Sequence, residues 1–124
     1  MKYIVLLLLI GVGVFFFTHK SSAAEEINYA ALQELLQGEQ EIILVDVRTK
    51  EEFDSGHIPG AILLPYDEVE KRAAEALPDK ERTIVLYCRS GRRSAIAAGT
   101  LKKLGYSKLY DFGAVNKWRG ELVR

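Results

Sequence analysis

Thr83-Ile84-Val85-Leu86-Tyr87-Cys88-Arg89-Ser90-Gly91-Arg92-Arg93-Ser94 is the stretch on which the fold turns. Thr83–Tyr87 is a short, continuous apolar run, the pattern of a strand buried on both faces of a parallel sheet. From Ser94 to Leu104 the apolar residues Ala95, Ile96, Ala98, Leu101 and Leu104 recur at helical spacing, and Gly105 stands where a helix ends. The residues between strand and helix hold the chain's one cysteine, a glycine and three arginines. Strand, tight loop and helix in that order are half of a βαβ unit.

The same alternation continues outward on both sides. Upstream, Asn28 is placed to cap a helix carrying Tyr29, Leu32, Leu35 and Leu36, which Gly38 stops. Glu41–Arg48 reads as a second buried strand. Thr49-Lys50-Glu51-Glu52 is a capping box opening a short helix that includes Phe53. Ser55–Gly60 holds two glycines and a proline and reads as a turn, followed by a short strand over Ala61–Leu64 that Pro65 closes. Asp67–Leu77 is read as a helix ended by Pro78. Downstream, Leu109–Phe112 is a last strand, and Gly113 leads into a segment with Val115 and Trp118, read as core packing. Strands alternating with helices predict an α/β fold, three layers deep, with a central and mainly parallel sheet flanked by helices. Ligands of such sheets sit beyond the carboxyl ends of the strands, where Cys88 is expected.

Composition sets the bounds. The chain has 124 residues, enough for one domain, and 17 basic residues balance 17 acidic ones, so no polybasic face is offered to nucleic acid. A single Cys excludes an intrachain disulfide framework and a Cys-rich zinc site. The amino terminus stands apart. Met1–Lys2 is followed by an uncharged run from Tyr3 to Phe17, and then by small residues with Ser22 and Ala24 at the −3 and −1 positions of a cut. Residues 1–24 are therefore read as a signal peptide and residues 25–124 as the domain, in an exported or periplasmic protein. The alternative is an uncleaved anchor in the inner membrane facing outward, although 15 apolar residues are short of the roughly 20 that span a bilayer. Membrane contact is expected only in that case.

Cys88 with Arg89, Ser90, Gly91, Arg92 and Arg93 forms the candidate site. Backbone amides of a tight loop at a helix start converge on an anion, and with the helix dipole and neighbouring arginines they stabilise a thiolate. Gly91 lets the loop adopt a positive φ or approach an anion closely. The bland reading, a small core cysteine, fits poorly beside three arginines. Cys88 to Arg93 is Cys-x4-Arg, one residue shorter than the Cys-x5-Arg loop of cysteine phosphatases, and Tyr87 replaces the His common before their Cys. His57 is read as a turn residue whose ring bonds backbone rather than as a general base. Asp46 and Arg48 are given structural roles, Asp46 receiving turn N–H groups and Arg48 pairing with an acid such as Glu52.

These motifs carry a resemblance. Asp46-Val47-Arg48, Glu52-Phe53, Gly56-His57-Ile58-Pro59-Gly60-Ala61, Tyr87–Ser94 and Gly113–Trp118 together resemble a single-domain rhodanese, and with the leader and the Cys-x-x-Gly-Arg loop they look most like the exported phage-shock type. That resemblance implies a sulfurtransferase: Cys88 takes the sulfane sulfur of a small donor such as thiosulfate, and a thiol or cyanide accepts it from the persulfide. It implies Cys88 as the nucleophile, the loop residues 89–93 as the cradle for persulfide and anion, no metal or organic cofactor, and a monomer. Arg93, the base after the Gly-Arg pair, is not carried by all members, and Gly113-Ala114 stands where a Gly-Gly pair is common. The alternatives are delivery of sulfur or redox equivalents to a protein partner, a non-enzymatic binding module, and, against the loop length, a Cys-loop phosphatase or arsenate reductase.

Overall fold

The computed structural model describes residues 23–124; of the expected leader over residues 1–24, residues 1–22 lie outside them, and Ala24 is buried against the core. Five parallel strands, β1 (Glu25–Glu26), β2 (Ile42–Asp46), β3 (Ile62–Leu63), β4 (Thr83–Cys88) and β5 (Leu109–Ala114), form one sheet in the order β1-β5-β4-β2-β3. Four helices connect them: α1 (Tyr29–Gln37), α2 (Lys50–Ser55), α3 (Val69–Ala76) and α4 (Arg92–Lys103). Among the described residues no helix is long and apolar enough to cross a membrane.

β4 is buried at every position and sits between β2 and β5, as its apolar run requires. Its side chains alternate between two cores. Ile84, Leu86 and Cys88 face Val69, Ala73, Ala97 and Leu101 of α3 and α4, whereas Val85 and Tyr87 face Leu32 of α1, Ile58 and Phe112. The three expected layers are therefore present, and Cys88 lies on the α3–α4 side.

The caps are those the sequence signals. The Asn28 side chain accepts from the Ala31 amide at 2.9 Å, and Thr49 with Glu52 closes a capping box. Gly105, at φ 101°, turns the chain after α4, so that the Tyr106 amide returns to the Leu101 carbonyl. The Tyr106 hydroxyl donates to the carbonyls of Ala73 and Leu77, tying α3 to the turn between α4 and β5.

Several boundaries differ from the sequence expectation. β1 was not foreseen; two glutamates carry no strand pattern, and pairing with β5 alone defines it. The expected helix over Asp67–Leu77 is a 3₁₀ turn at Tyr66–Glu68 followed by α3. α4 begins at Arg92 rather than Ser94, because Gly91 supplies the N-cap conformation. Its inward face is Ser94, Ala97, Ala98 and Leu101, so Ile96 points outward, 42% exposed. Leu36 of α1 is likewise exposed.

Candidate active site

β4 delivers Cys88 to the carboxyl edge of the sheet, and its side chain is fully buried there. The chain then reverses over Arg89–Gly91 into α4. Gly91 at φ 105° makes this turn possible, in a region that side-chain-bearing residues rarely enter.

The turn wraps donors around the sulfur. The Gly91 amide lies 3.0 Å from Cys88 Sγ and the Ser94 amide 3.4 Å, while Ser94 Oγ, which donates to the Gly91 carbonyl at 3.1 Å, accepts from the thiol at 3.6 Å. Burial works against a charged sulfur, but the Ser94 hydroxyl and the amides of Ser94, Gly91 and Ser90 outweigh it, and the thiol sits below its ordinary pKa. Of the loop amides over residues 89–93, those of Ser90 and Gly91 act on the sulfur, and Ser94, which the sequence reading left in the helix, is an added member. The signal for Ser94 was its place directly after Arg93, on the first turn of α4.

The three loop arginines part ways. Arg89 is exposed. Arg92 lies with its guanidinium 5.9 Å from the Tyr66 ring centre. Arg93 is committed to Glu52 by two bonds, at 2.7 and 2.9 Å, which clasp α4 to the start of α2. That bond, assisted by the Thr49 amide and hydroxyl, holds Glu52 down at about 2 against a modest cost of burial. Arg48, Tyr66, Arg92 and Arg93 line a cavity of about 380 Å³ beside the loop. A second cavity, about 250 Å³, opens on the other side between Ser90, Gly91, Asp111 and Lys117.

The expected pairing of Arg48 with Glu52 is not what forms. Arg48 folds back on Asp46, at 2.7 to 3.0 Å, and donates to the Gly56 carbonyl at 2.7 Å, leaving Glu52 to Arg93. Asp46 also accepts the Arg48 amide at 2.9 Å, the turn N–H role foreseen for it. Burial opposes the Arg48 charge, but Asp46 more than offsets it and the guanidinium pKa is raised. The pair braces the loop after β2, and Tyr87 completes the brace by accepting the Ile58 amide at 3.1 Å.

His57 stacks flat on Phe53 at 3.7 Å, and its Nδ1 contacts the Phe53 carbonyl at 2.9 Å. Its backbone pairs with Val123. It is a turn residue bonded to backbone, as expected. Trp118 packs edge-on against Tyr29 at 5.5 Å, and with Val115 lies on the second core.

A buried cysteine ringed by amides at a strand-to-helix turn, with arginines at its rim, defines a cysteine-loop α/β protein. Comparison with known proteins narrows this. The rhodanese-like domain matches residues 28–121, and the chain belongs to that family. It is 39% identical over 71 residues to the thiosulfate sulfurtransferase PspE of Escherichia coli, covering 57% of this chain and 68% of that one. It is 36% identical over 105 residues to the putative sulfur carrier protein YrkF of Bacillus subtilis. That match takes in 84% of this chain, which spans only 56% of YrkF. A solved structure described as rhodanese with anions from E. coli superposes with a TM-score of 0.64 at 34% identity, covering 68% of this chain and 99% of that one. The fold is thus the rhodanese-like one, shared with relatives that are named sulfurtransferases.

Proposed function

We propose that this protein is a thiosulfate sulfurtransferase that works through a persulfide on Cys88. The observation that carries this is the ring of donors on Cys88 Sγ, which holds a buried sulfur as a nucleophile. The thiolate attacks the sulfane sulfur of thiosulfate. The S–S bond of the donor breaks, and sulfite leaves with the electron pair. A thiol or cyanide then attacks the outer sulfur of the persulfide, and Cys88 departs as a thiolate. No oxidant enters and no cofactor is required.

The same amides that lower the thiol pKa stabilise Cys88 as it leaves in the second step. Arg89, Ser90, Gly91, Arg92 and Arg93 form the substrate cradle. Within it Arg92 is the cation turned to the donor, because Arg93 is neutralised by Glu52 while Arg92 has an aromatic ring and no carboxylate partner among the described residues. The name of PspE and the anions of the E. coli rhodanese structure support a dianionic donor. The leader supports export to the periplasm, where the domain acts as a monomer.

Initial rates with thiosulfate and cyanide test this scheme. Two half-reactions through a covalent intermediate give parallel double-reciprocal lines. Intersecting lines would place both substrates on the enzyme together and remove the persulfide from the cycle.

A further inference from the structure

The cavity on the β5 side of the loop has no part in the scheme above. It holds about 250 Å³ and, among the described residues, shares no wall with the arginine-lined cavity. Ser90 and Gly91 close one side of it, and the Gly91 amide lies 3.0 Å from Cys88 Sγ. Its other walls carry charge of both signs, from Glu26, Asp111 and Lys117.

These charged groups have bonding capacity to spare. Asp111 is 8% exposed, and its Oδ1 is closed to solvent with no hydrogen-bond partner among the described residues. A buried oxygen left in this way costs free energy that an incoming donor recovers. Burial outweighs the groups that oppose it, and the Asp111 carboxyl is pushed up. A second void of about 50 Å³ continues between Glu26, Ala95, Ala98 and Asp111, so free space flanks the acid on two sides. Lys117 Nζ donates to the Ile27 carbonyl at 3.0 Å and to the Phe112 carbonyl at 2.7 Å, which uses two of its three N–H bonds. Glu26 is exposed on β1.

The cavity is also within reach of the sulfur. Asp111 pairs in register with Leu86 of β4, so its side chain lies on the sheet face that carries Cys88. One strand spacing and two residues of rise separate the Cα atoms of Asp111 and Cys88 by about 8 Å. A molecule with an ammonium and a thiol on neighbouring carbons bridges such a span, given a hydrogen bond of about 3 Å at the acid.

We propose that this cavity is the acceptor subsite, and that it takes a small thiol bearing both an ammonium and a carboxylate. The ammonium meets Asp111 and Glu26, the carboxylate meets Lys117, and the sulfur faces the loop. The inference rests on Cys88 carrying the persulfide. The acceptor sulfur, its proton lost to water, attacks the outer sulfur. A new S–S bond forms, the bond to Cys88 breaks, and Cys88 keeps the electron pair as a thiolate. The product is the persulfide of the acceptor, and no oxidant enters. Donor and acceptor therefore approach from opposite flanks, a dianion beside Arg92 and a zwitterion beside Asp111.

Unloading of the persulfide tests this on the full chain. Protein loaded with thiosulfate, then freed of it, is mixed with L-cysteine, cysteamine or 3-mercaptopropionate, and loss of the extra sulfur is followed by intact mass. Each thiol is compared with itself across variants, so its own reactivity cancels. Asp111→Asn should slow cysteine and cysteamine about tenfold, the worth of one charge-assisted hydrogen bond, and 3-mercaptopropionate less than about twofold. Lys117→Gln should slow cysteine and 3-mercaptopropionate about fivefold and leave cysteamine within about twofold. Glu26→Gln, at an exposed position, should slow only the two ammonium-bearing thiols, by about twofold, and decides the matter should Asp111→Asn fail to fold. Equal slowing of all three thiols would mark a structural role and overturn the subsite, as would variants that unload at the wild-type rate. A protein that gains no sulfur from thiosulfate would refute the sulfurtransferase and the subsite with it. A persulfide that forms but unloads without this crossed pattern refutes the subsite alone.

Discussion

At the scale of single residues, the division of labour among the arginines has measurable consequences. Arg92 is exposed and shares only the Tyr66 ring, so Arg92→Ala should leave the Tm within about 1 °C of wild type. It should raise the thiosulfate KM about tenfold, the worth of one charge-assisted hydrogen bond. An unchanged KM would hand the anion to Arg89. Arg93 behaves differently because Glu52 holds it. Glu52 is depressed to about 2 in the fold and lies near 4.3 in an unfolded chain. The stability it contributes is therefore present above about pH 4.3 and lost as pH falls through about 2. Glu52→Gln should be less stable than wild type by about 0.5–1 kcal/mol at pH 7, the modest value suited to a partly exposed pair. The two proteins should converge toward pH 2 in urea melts run across that range. The sequence displayed all three arginines but not their partners. Glu52 was seen as a capping residue, which it is, yet its reach across to α4 depends on how α2 and α4 pack. Asp111 stood within an expected strand, and the register shift that follows it at Phe112 leaves no mark in the sequence.

At the scale of elements, the strands that build the site are the ones whose sequences spoke most clearly. β4 and β2 are continuous apolar runs and took their central places as expected, whereas the two-residue β1 exists only through its partner. Caps were legible for α1 and α2 because Asn28, Thr49 and Glu52 act locally. The inward face of α4 was read one position off at Ile96, since α4 sits with small Ala97 and Ala98 against the sheet and needs no larger residue there. The loop after β2 depends on Asp46, fully buried with Arg48 as its counter-ion. Asp46→Ala would strand that guanidinium in the interior and should cost about 3–5 kcal/mol, read as a fall in the urea midpoint. A loss below about 1 kcal/mol would mean that Arg48 finds water or another acid instead.

At the scale of the whole molecule, the fold sets a nucleophile at the carboxyl edge of a parallel sheet and gives it two dissimilar flanks. The side toward β3 is lined by Arg48, Arg92 and Arg93, and the side toward β5 holds Asp111 and Lys117. A larger cavity, about 480 Å³, opens near Thr83 and Leu109 at the opposite edge, away from Cys88. The leader places the molecule outside the inner membrane in our proposal, and the mature chain should begin at Glu25; intact mass of the protein recovered from the periplasm checks this, and retention of residues 1–24 would mean an anchored form. The central claim is the sulfur on Cys88. Purified protein incubated with thiosulfate and weighed intact without reductant should gain one sulfur atom, and the Cys88→Ala protein should gain none. An unmodified mass with a free, titratable Cys88, or an equal gain in Cys88→Ala, would contradict it.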